Sequence, residues 1–161
     1  MQSNMGRSGE IGVTFLLTEP RSEADWESYF DLRWRVLRAP WNQPRGSERD
    51  AQEDESIHLM LCDPSRHVVA VGRLHFRSPT EAQIRYMAVE QAFAGRGLGS
   101  RILRGLESRA CAAGVKRLVL NARKDAAPCY LKHRYSVTGP ADTLFGVIEH
   151  VRMERAIASA E

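Results

Sequence analysis

The stretch IRYMAVEQAFAGRGLGS, residues 84–100, indicates the fold more clearly than the rest of the chain. Its first part, Ile84–Val89, is typical of a strand, and the residues that follow the stretch, Arg101–Ala113, have the pattern of a helix. The glycines between them allow the backbone to turn tightly and to approach a ligand closely. The free N–H groups and the positive dipole end of the following helix would face that ligand. This layout predicts an anion site, and the expected anion is a pyrophosphate.

Two common phosphate-binding motifs do not fit this turn. A P-loop needs a lysine directly after its second glycine, but no lysine occurs in the chain before Lys116. The dinucleotide fingerprint needs a third glycine, and Ile102 stands in its place. Nucleoside triphosphate binding of the P-loop type and Rossmann-type dinucleotide binding are therefore disfavoured.

Several separated segments resemble the GNAT N-acetyltransferase superfamily. The strand 84–89 followed by AGRGLGSRIL is similar to that family's acetyl-CoA motif, Arg/Gln-x-x-Gly-x-Gly/Ala, which comes after its fourth strand. Leu118–Asn121 and Ala126–Tyr135 resemble the family's next strand and a short helix that carries a tyrosine, and Leu32–Arg38 resembles its first helix. The likeness covers residues 12–155 and is more specific than any one of these motifs.

The resemblance implies a binding site for acetyl-CoA and no metal. Backbone groups of the fourth strand would contact the acetyl and pantetheine parts, with the Val89 N–H donating to the oxyanion, and the glycine turn would hold the pyrophosphate. The implied residues are Met87, Ala88, Val89, Gly95, Arg96, Gly97, Gly99, Ser100 and Asn121. Alternatives stay open: core packing for the strand residues, a solvated turn for Arg96 and a strand-ending turn for Asn121. Ala94 stands where the motif usually has Arg or Gln, but the turn backbone is intact, so we expect binding to survive.

Tyr130 is the candidate general acid for the departing thiolate, because a phenol with an ordinary pKa of about 10 can donate a proton to it. Packing of the Tyr130 ring into the core is the alternative. The neighbouring Cys129 would suit an acyl-enzyme, but the sequence identifies no adjacent base. Direct transfer within a ternary complex is therefore favoured.

Two residues are candidates for the general base that deprotonates the acceptor amine. Glu149 lies between Val147 and Val151 in a period-two apolar row of the last strand. His75 lies two residues after Arg73 on another strand, among neighbours that are expected to face inward. A paired charge, a core histidine and a relay through water are the alternatives.

Composition and length indicate one domain, which we expect at residues 11–157 after a disordered tail at 1–10. A formal net charge of +3 is too small to argue for nucleic acid as a partner. No apolar run is long enough to span a membrane, and three widely spaced cysteines suggest neither disulfides nor a zinc site. These features predict a cytoplasmic protein.

The order of helical and strand patterns predicts an α/β (α+β) fold of the GNAT type. We expect a central mixed, largely antiparallel sheet, splayed at its fourth and fifth strands and flanked by helices. Strands are predicted at 12–17, 56–62, 67–77, 84–89, 116–121, 134–138 and 143–154. Helices are predicted at 23–38, with Ser22 as N-cap, at 101–113, and in short pieces at 47–55 and 125–133.

The predicted function is transfer of an acyl group from acetyl-CoA to a primary amine of a small molecule or a protein. Five acids between Glu48 and Glu55 would suit a cationic amine, and a solvated helix surface explains them about as well. The alternative function is a catalytically silent acyl-CoA-binding regulatory module. The sequence does not distinguish a monomer from a homodimer.

Overall fold

The computed structural model of this protein describes residues 14–158. The predicted tail at 1–10 and the first two residues of the strand predicted at 12–17 lie outside the described residues. Within residues 14–158, no helix is both long and apolar enough to cross a membrane.

Seven strands form one sheet. They are β1 (Leu16–Thr18), β2 (Ser56–Cys62), β3 (Val68–Phe76), β4 (Glu81–Val89), β5 (Arg117–Arg123), β6 (Ser136–Leu144) and β7 (Ile148–Ala156). Their order across the sheet is β1-β2-β3-β4-β5-β7-β6, and every neighbouring pair is antiparallel except the parallel pair of β4 and β5. The predicted mixed, largely antiparallel sheet is confirmed.

The α-helices are α1 (Glu23–Leu37), α2 (Leu98–Ala112) and α3 (Ala127–Lys132). Ser22 caps α1 as predicted, because its hydroxyl accepts a hydrogen bond from the Asp25 N–H at 3.0 Å. The Asp25 carboxylate accepts in return from the Ser22 N–H at 3.2 Å, which completes a capping box. These paired bonds satisfy N–H groups that the first turn of a helix leaves without partners.

The two long helices cover opposite faces of the sheet. Ile102 and Leu106 of α2 pack in one core cluster, and Tyr29 and Leu32 of α1 pack in the other. Consecutive residues of β2 divide between the clusters, since Leu61 belongs to the first and Met60, Cys62 to the second. The helix that joins β4 to β5 therefore lies on one face and α1 on the other.

The structure differs from the predicted elements at residues 48–55, which we call the acidic segment. A 3₁₀ helix spans only Glu53–Glu55, where a helix from 47 to 55 was predicted. The Asp50 carboxylate accepts from the Gln52 N–H at 2.9 Å, and the Glu53 carboxylate accepts from the Asp50 N–H at 2.9 Å. Such local bonds from side chains to the backbone compete with helix formation. The predicted helix is wrong for that reason.

Candidate functional site

A groove opens where the two parallel strands separate. β4 and β5 pair from Glu81–Arg117 to Ile84–Leu120 and no further. A cavity of about 340 Å³ lies beyond this point, lined on one side by residues 83–87 of β4 and 120–123 of β5. The end of α1, Trp41 and the hairpin of β6 and β7 line it on the other side. We call this cavity the groove.

A bulge at Tyr86 marks the β4 wall of the groove. The register of β3 leaves Gly72 alone opposite Tyr86 and Met87. Tyr86 has a left-handed φ of 58°, a conformation that costs a non-glycine residue about 1 kcal/mol or more. The guanidinium carbons of Arg33 and Arg73 lie 4.2 and 4.8 Å from the centroid of its ring, so cation–π contacts hold the ring in place. A bulge of this kind bends the strand, as the separation from β5 requires.

The backbone N–H of Val89 points towards the open side of β4. The next N–H, that of Glu90, donates to the Val69 carbonyl of β3 at 2.8 Å. Successive N–H groups along an extended chain point to opposite edges, so the Val89 N–H faces the side of β5. Because β5 has already separated, the ladder between these strands does not use this donor.

The glycine turn lies between β4 and α2. Gly95 and Gly97 have φ values of 77° and 75°, and a Cβ placed on either would meet no heavy atom within 4 Å. Gly97 is the N-cap of α2, and no described side chain caps this helix. The first N–H groups of α2 therefore face open space beside two backbone positions that suit glycine, which is the environment a pyrophosphate needs. The residues present fit an acyl-CoA.

The model of the acetyltransferase (GNAT) family matches residues 26–134 of the chain. The chain belongs to this family.

Known proteins resemble this GNAT domain over most of its length. The uncharacterized N-acetyltransferase YjcF of Bacillus subtilis (strain 168) is 29% identical over 133 residues, which are 83% of this chain and 94% of YjcF. A crystal structure of aminoglycoside 6'-N-acetyltransferase complexed with coenzyme A has a TM-score of 0.75 at 14% identity and covers 91% of this chain and 99% of its own. The ribosomal-protein-S18-alanine N-acetyltransferase from Escherichia coli has a TM-score of 0.74 at 17% identity, with coverages of 92% and 97%. These solved structures share the fold with this chain.

Tyr130 lies in the groove of this GNAT domain, on α3. Its ring meets the ring of Tyr135 edge-on, with centroids 5.9 Å apart. Burial and the neighbouring Cys129 raise the pKa of the Tyr130 phenol to about 12. The phenol is therefore protonated at neutral pH, the form that a general acid needs. Cys129 itself is exposed and does not line the groove.

The predicted cofactor residues lie on β4, on the glycine turn, at the start of α2 and on β5. Met87 and Asn121 line the groove on β4 and β5, while Ala88 packs its side chain against the α1 face. Arg96 is exposed, with its guanidinium carbon 5.4 Å from the centroid of the Phe93 ring. The Ser100 hydroxyl and Nε2 of His133 lie 2.9 Å apart, which ties the first turn of α2 to the end of α3.

The structure does not bring the two predicted bases into the groove. The side chain of Glu149 is 65% exposed, does not line the groove and pairs with Lys124 at 3.3 Å, which is the paired-charge alternative. Phe145 and Val147, which were expected in the same strand row as Glu149, belong to the hairpin turn, since β7 begins at Ile148. His75 lies half-buried near the end of β3 and does not line the groove either. Among residues 14–158, no three His, Cys, Asp or Glu side chains are placed to hold a metal ion.

His150, rather than Glu149, is the titratable side chain of β7 that lines the groove. It lines the groove next to Ile148, and its Nδ1 lies 2.9 Å from the Ile148 carbonyl oxygen. Side chains alternate between the faces of a strand, so His150 points opposite to Glu149. Ile148 and His150 alternate with Glu149 along β7, so the sequence predicts that they share the opposite face. It does not predict that this face lines the groove.

The acidic segment does not form an acceptor surface as a whole. Glu53 lies 2.9 Å from Arg33 and 3.0 Å from Arg73, and Asp50 lies 2.6 Å from Arg73. Burial alone would raise the pKa of Asp50, but the hydrogen bonds from Arg73 and Gln52 together with the charges of Arg73 and Arg85 outweigh it and lower the pKa to about 2. Asp50 and Glu53 are therefore counterions of two buried arginines, and these two acids do not support the predicted cationic acceptor.

Proposed function

We propose that this protein is an acetyl-CoA-dependent N-acetyltransferase that moves the acyl group directly to the primary amine of an acceptor. The observation that carries the proposal is the groove at the splay of β4 and β5. It contains Tyr130, His150 and the bulged part of β4. β4 leads on to the glycine turn, so one continuous path can hold a pyrophosphate at one end and a thioester at the other.

In this proposal, the backbone of the chain holds the acyl donor. The N–H groups at Gly95–Ser100 would bind the pyrophosphate, and Met87, Ala88 and Asn121 would bind the pantetheine arm. The Val89 N–H would donate to the carbonyl oxygen as negative charge develops on it. A fixed donor of this kind lowers the barrier because it needs no reorganisation during the reaction.

His150 would take the proton of the acceptor amine at its Nε2. The freed amine nitrogen then bonds to the thioester carbonyl carbon, the bond between that carbon and sulfur breaks, and the nitrogen releases its second proton to solvent. The Tyr130 hydroxyl would give its proton to the departing sulfur and recover one from solvent. Transfer in a ternary complex agrees with the position of Cys129, which is exposed and outside the groove.

The proposal is tested by two measurements on the full chain. Calorimetry with coenzyme A measures binding, and release of free thiol from acetyl-CoA in the presence of pooled amines measures transfer. We expect both binding and amine-dependent thiol release. Binding without release for any amine would favour the silent acyl-CoA-binding module, for which Ala94 in the motif is the supporting feature. Absence of binding would contradict both functions.

The compartment is part of the same proposal. Cys62, Cys111 and Cys129 are free thiols. Free thiols persist in a reducing environment, so we propose that the protein works in the cytoplasm.

A further inference from the structure

Arg38 is a rigidly held arginine in the wall of the groove. It follows the last residue of α1, is only 8% exposed and lines the groove. Its Nε donates to the Ser47 carbonyl at 3.0 Å, and its Nη1 donates to the Leu37 carbonyl at 2.9 Å. The rings of Tyr86 and Phe145 lie 5.7 and 5.4 Å from its guanidinium carbon. The guanidinium group is thus fixed in position before any ligand arrives.

Arg38 has no carboxylate partner among residues 14–158. The other buried arginines do: Arg33 pairs with Glu53 at 2.9 Å, and Arg73 pairs with Asp50 at 2.6 Å. Its Nη2 also makes no hydrogen bond to any described residue, although Nε and Nη1 do. A buried charge without a directly paired counterion is unfavourable: burial lowers the pKa of Arg38, and the attraction of the more distant Glu48 carboxylate offsets this only in part. A bound anion would remove this penalty.

The charge of the surrounding wall also favours an anion. Arg85 and Arg123 line the groove together with Arg38. Among the described residues that line it, Asp142 is the one acid. Arg85 lies 3.2 Å from Asp50, and Arg123 lies 3.4 Å from Asp125, so both are already neutralised in part. Arg38 is therefore the cation that is most available to a ligand, and its neighbours add to the attraction.

We propose that the acceptor is a small amine that also carries a carboxylate, and that Arg38 binds this carboxylate. The inference rests on the proposed acetyltransferase function. A planar guanidinium matches a carboxylate through two parallel hydrogen bonds, which the free Nη2 and the second hydrogen of Nη1 would donate. The cavity of about 340 Å³ must also hold the end of the acyl-CoA, so the part of the acceptor that enters it is about the size of an amino acid. The amine would then face His150, which lines the same groove.

The first test needs no variant. Wild-type protein is given acetyl-CoA with matched acceptors: the standard L-amino acids, their carboxamides, and the amines that remain when the carboxylate is removed. We expect thiol release with at least one amino acid at a kcat/KM roughly 10- to 100-fold above that of its carboxamide. Equal or better use of carboxamides and simple amines would overturn the carboxylate site and leave the acetyltransferase function standing. Thiol release with none of them, by protein that binds coenzyme A, would count against both.

The second test replaces the arginine. Arg38→Met keeps most of the side-chain stem and removes the charge, so the KM for the preferred amino acid should rise roughly 10- to 100-fold, with the KM for acetyl-CoA unchanged. Arg38→Lys should recover only part of the loss, because lysine cannot form the two parallel bonds. Arg109→Met is the matched control, since Arg109 pairs with Glu19 at 3.0 Å away from the groove. Coenzyme A calorimetry verifies that each variant is folded.

Two results would overturn the role of Arg38. One is an unchanged acceptor KM in folded Arg38→Met protein. The other is an equal rise in both KM values, which would mean that Arg38 only maintains the shape of the groove.

Discussion

The Nδ1 of His150 lies 2.9 Å from the carbonyl oxygen of Ile148, two residues earlier in β7. A carbonyl oxygen can only accept a hydrogen bond, so Nδ1 carries the proton in the neutral ring and the lone pair is on Nε2. His150 lines the groove. The bond therefore determines the tautomer that a general base requires and holds the ring in a fixed orientation.

Replacing His150 by Gln should lower kcat/KM by roughly 10²-fold, the usual scale for loss of a general base. Steady-state kinetics with the acceptor measures this loss. His75→Ala and Glu149→Gln are the controls, and both should keep the wild-type kcat/KM, because neither side chain lines the groove. A comparable loss in either control, or an unchanged kcat/KM in His150→Gln, would assign the base elsewhere.

Tyr130→Phe should lower kcat by roughly 10²-fold and leave coenzyme A affinity unchanged. Burial raises the pKa of the Tyr130 phenol to about 12, so the donor form persists and the rate should show no alkaline fall from this group below that pH. Tyr135→Phe is the matched control, because its hydroxyl donates to Glu107 at 2.9 Å and should affect stability rather than turnover. Weaker coenzyme A binding by Tyr130→Phe at an unchanged kcat would make Tyr130 a packing residue.

Gly97→Val should weaken coenzyme A binding strongly when measured by calorimetry. The substitution places a β-branched side chain at a φ of 75° and between the turn backbone and the phosphates. Gly114→Val is the control for backbone strain, since Gly114 has a φ of 86° at the other end of α2. An equal loss of affinity in both variants would attribute the effect to strain rather than to the anion site.

Gly72→Ala should destabilise the fold by about 1–3 kcal/mol, because the added methyl group overfills the core. A Cβ at Gly72 would lie 2.5 Å from Cγ2 of Ile102 and 2.7 Å from Sδ of Met87. Gly139→Ala is the control, since a Cβ there meets no heavy atom within 4 Å. Urea unfolding of both variants measures the difference, and equal midpoints would contradict the packing around the bulge.

Stability should decrease as the pH falls from 4 towards 2, partly through Asp50. Burial would raise the pKa of Asp50, but the hydrogen bonds from Arg73 and Gln52 lower it to about 2. A depressed pKa in the folded state adds stability above the unfolded pKa, roughly 2 kcal/mol here, and this stability is lost on acidification. Asp50→Asn should therefore be less stable at pH 7 and have a shallower acid dependence in urea unfolding. An acid dependence as steep as that of the wild type would mean that other carboxylates determine it.

Local sequence patterns were enough to predict several strands and helices and the glycine turn that precedes α2. The strand at Ser56–Cys62 was predicted with the bounds that the structure has, and the Ser22 cap marked the start of α1. These features depend on side-chain alternation and on capping bonds between residues three apart, which neighbours in the chain supply. The glycine turn was recognisable because left-handed φ values favour glycine, as Gly95 and Gly97 show.

Which side chains share the groove depends on packing between distant parts of the chain. Period two divides β7 into two rows but does not say which row faces a cavity. In the structure Ile148 and His150 line the groove, and Glu149 does not. Likewise, the acids of the 48–55 segment were visible in the sequence, but their pairing with Arg33 and Arg73 depends on elements far apart in the chain. Arg38 became a candidate ligand only because the fold buries it without a described carboxylate partner. Partners brought together by packing are a property of the whole chain, and no local pattern encodes them.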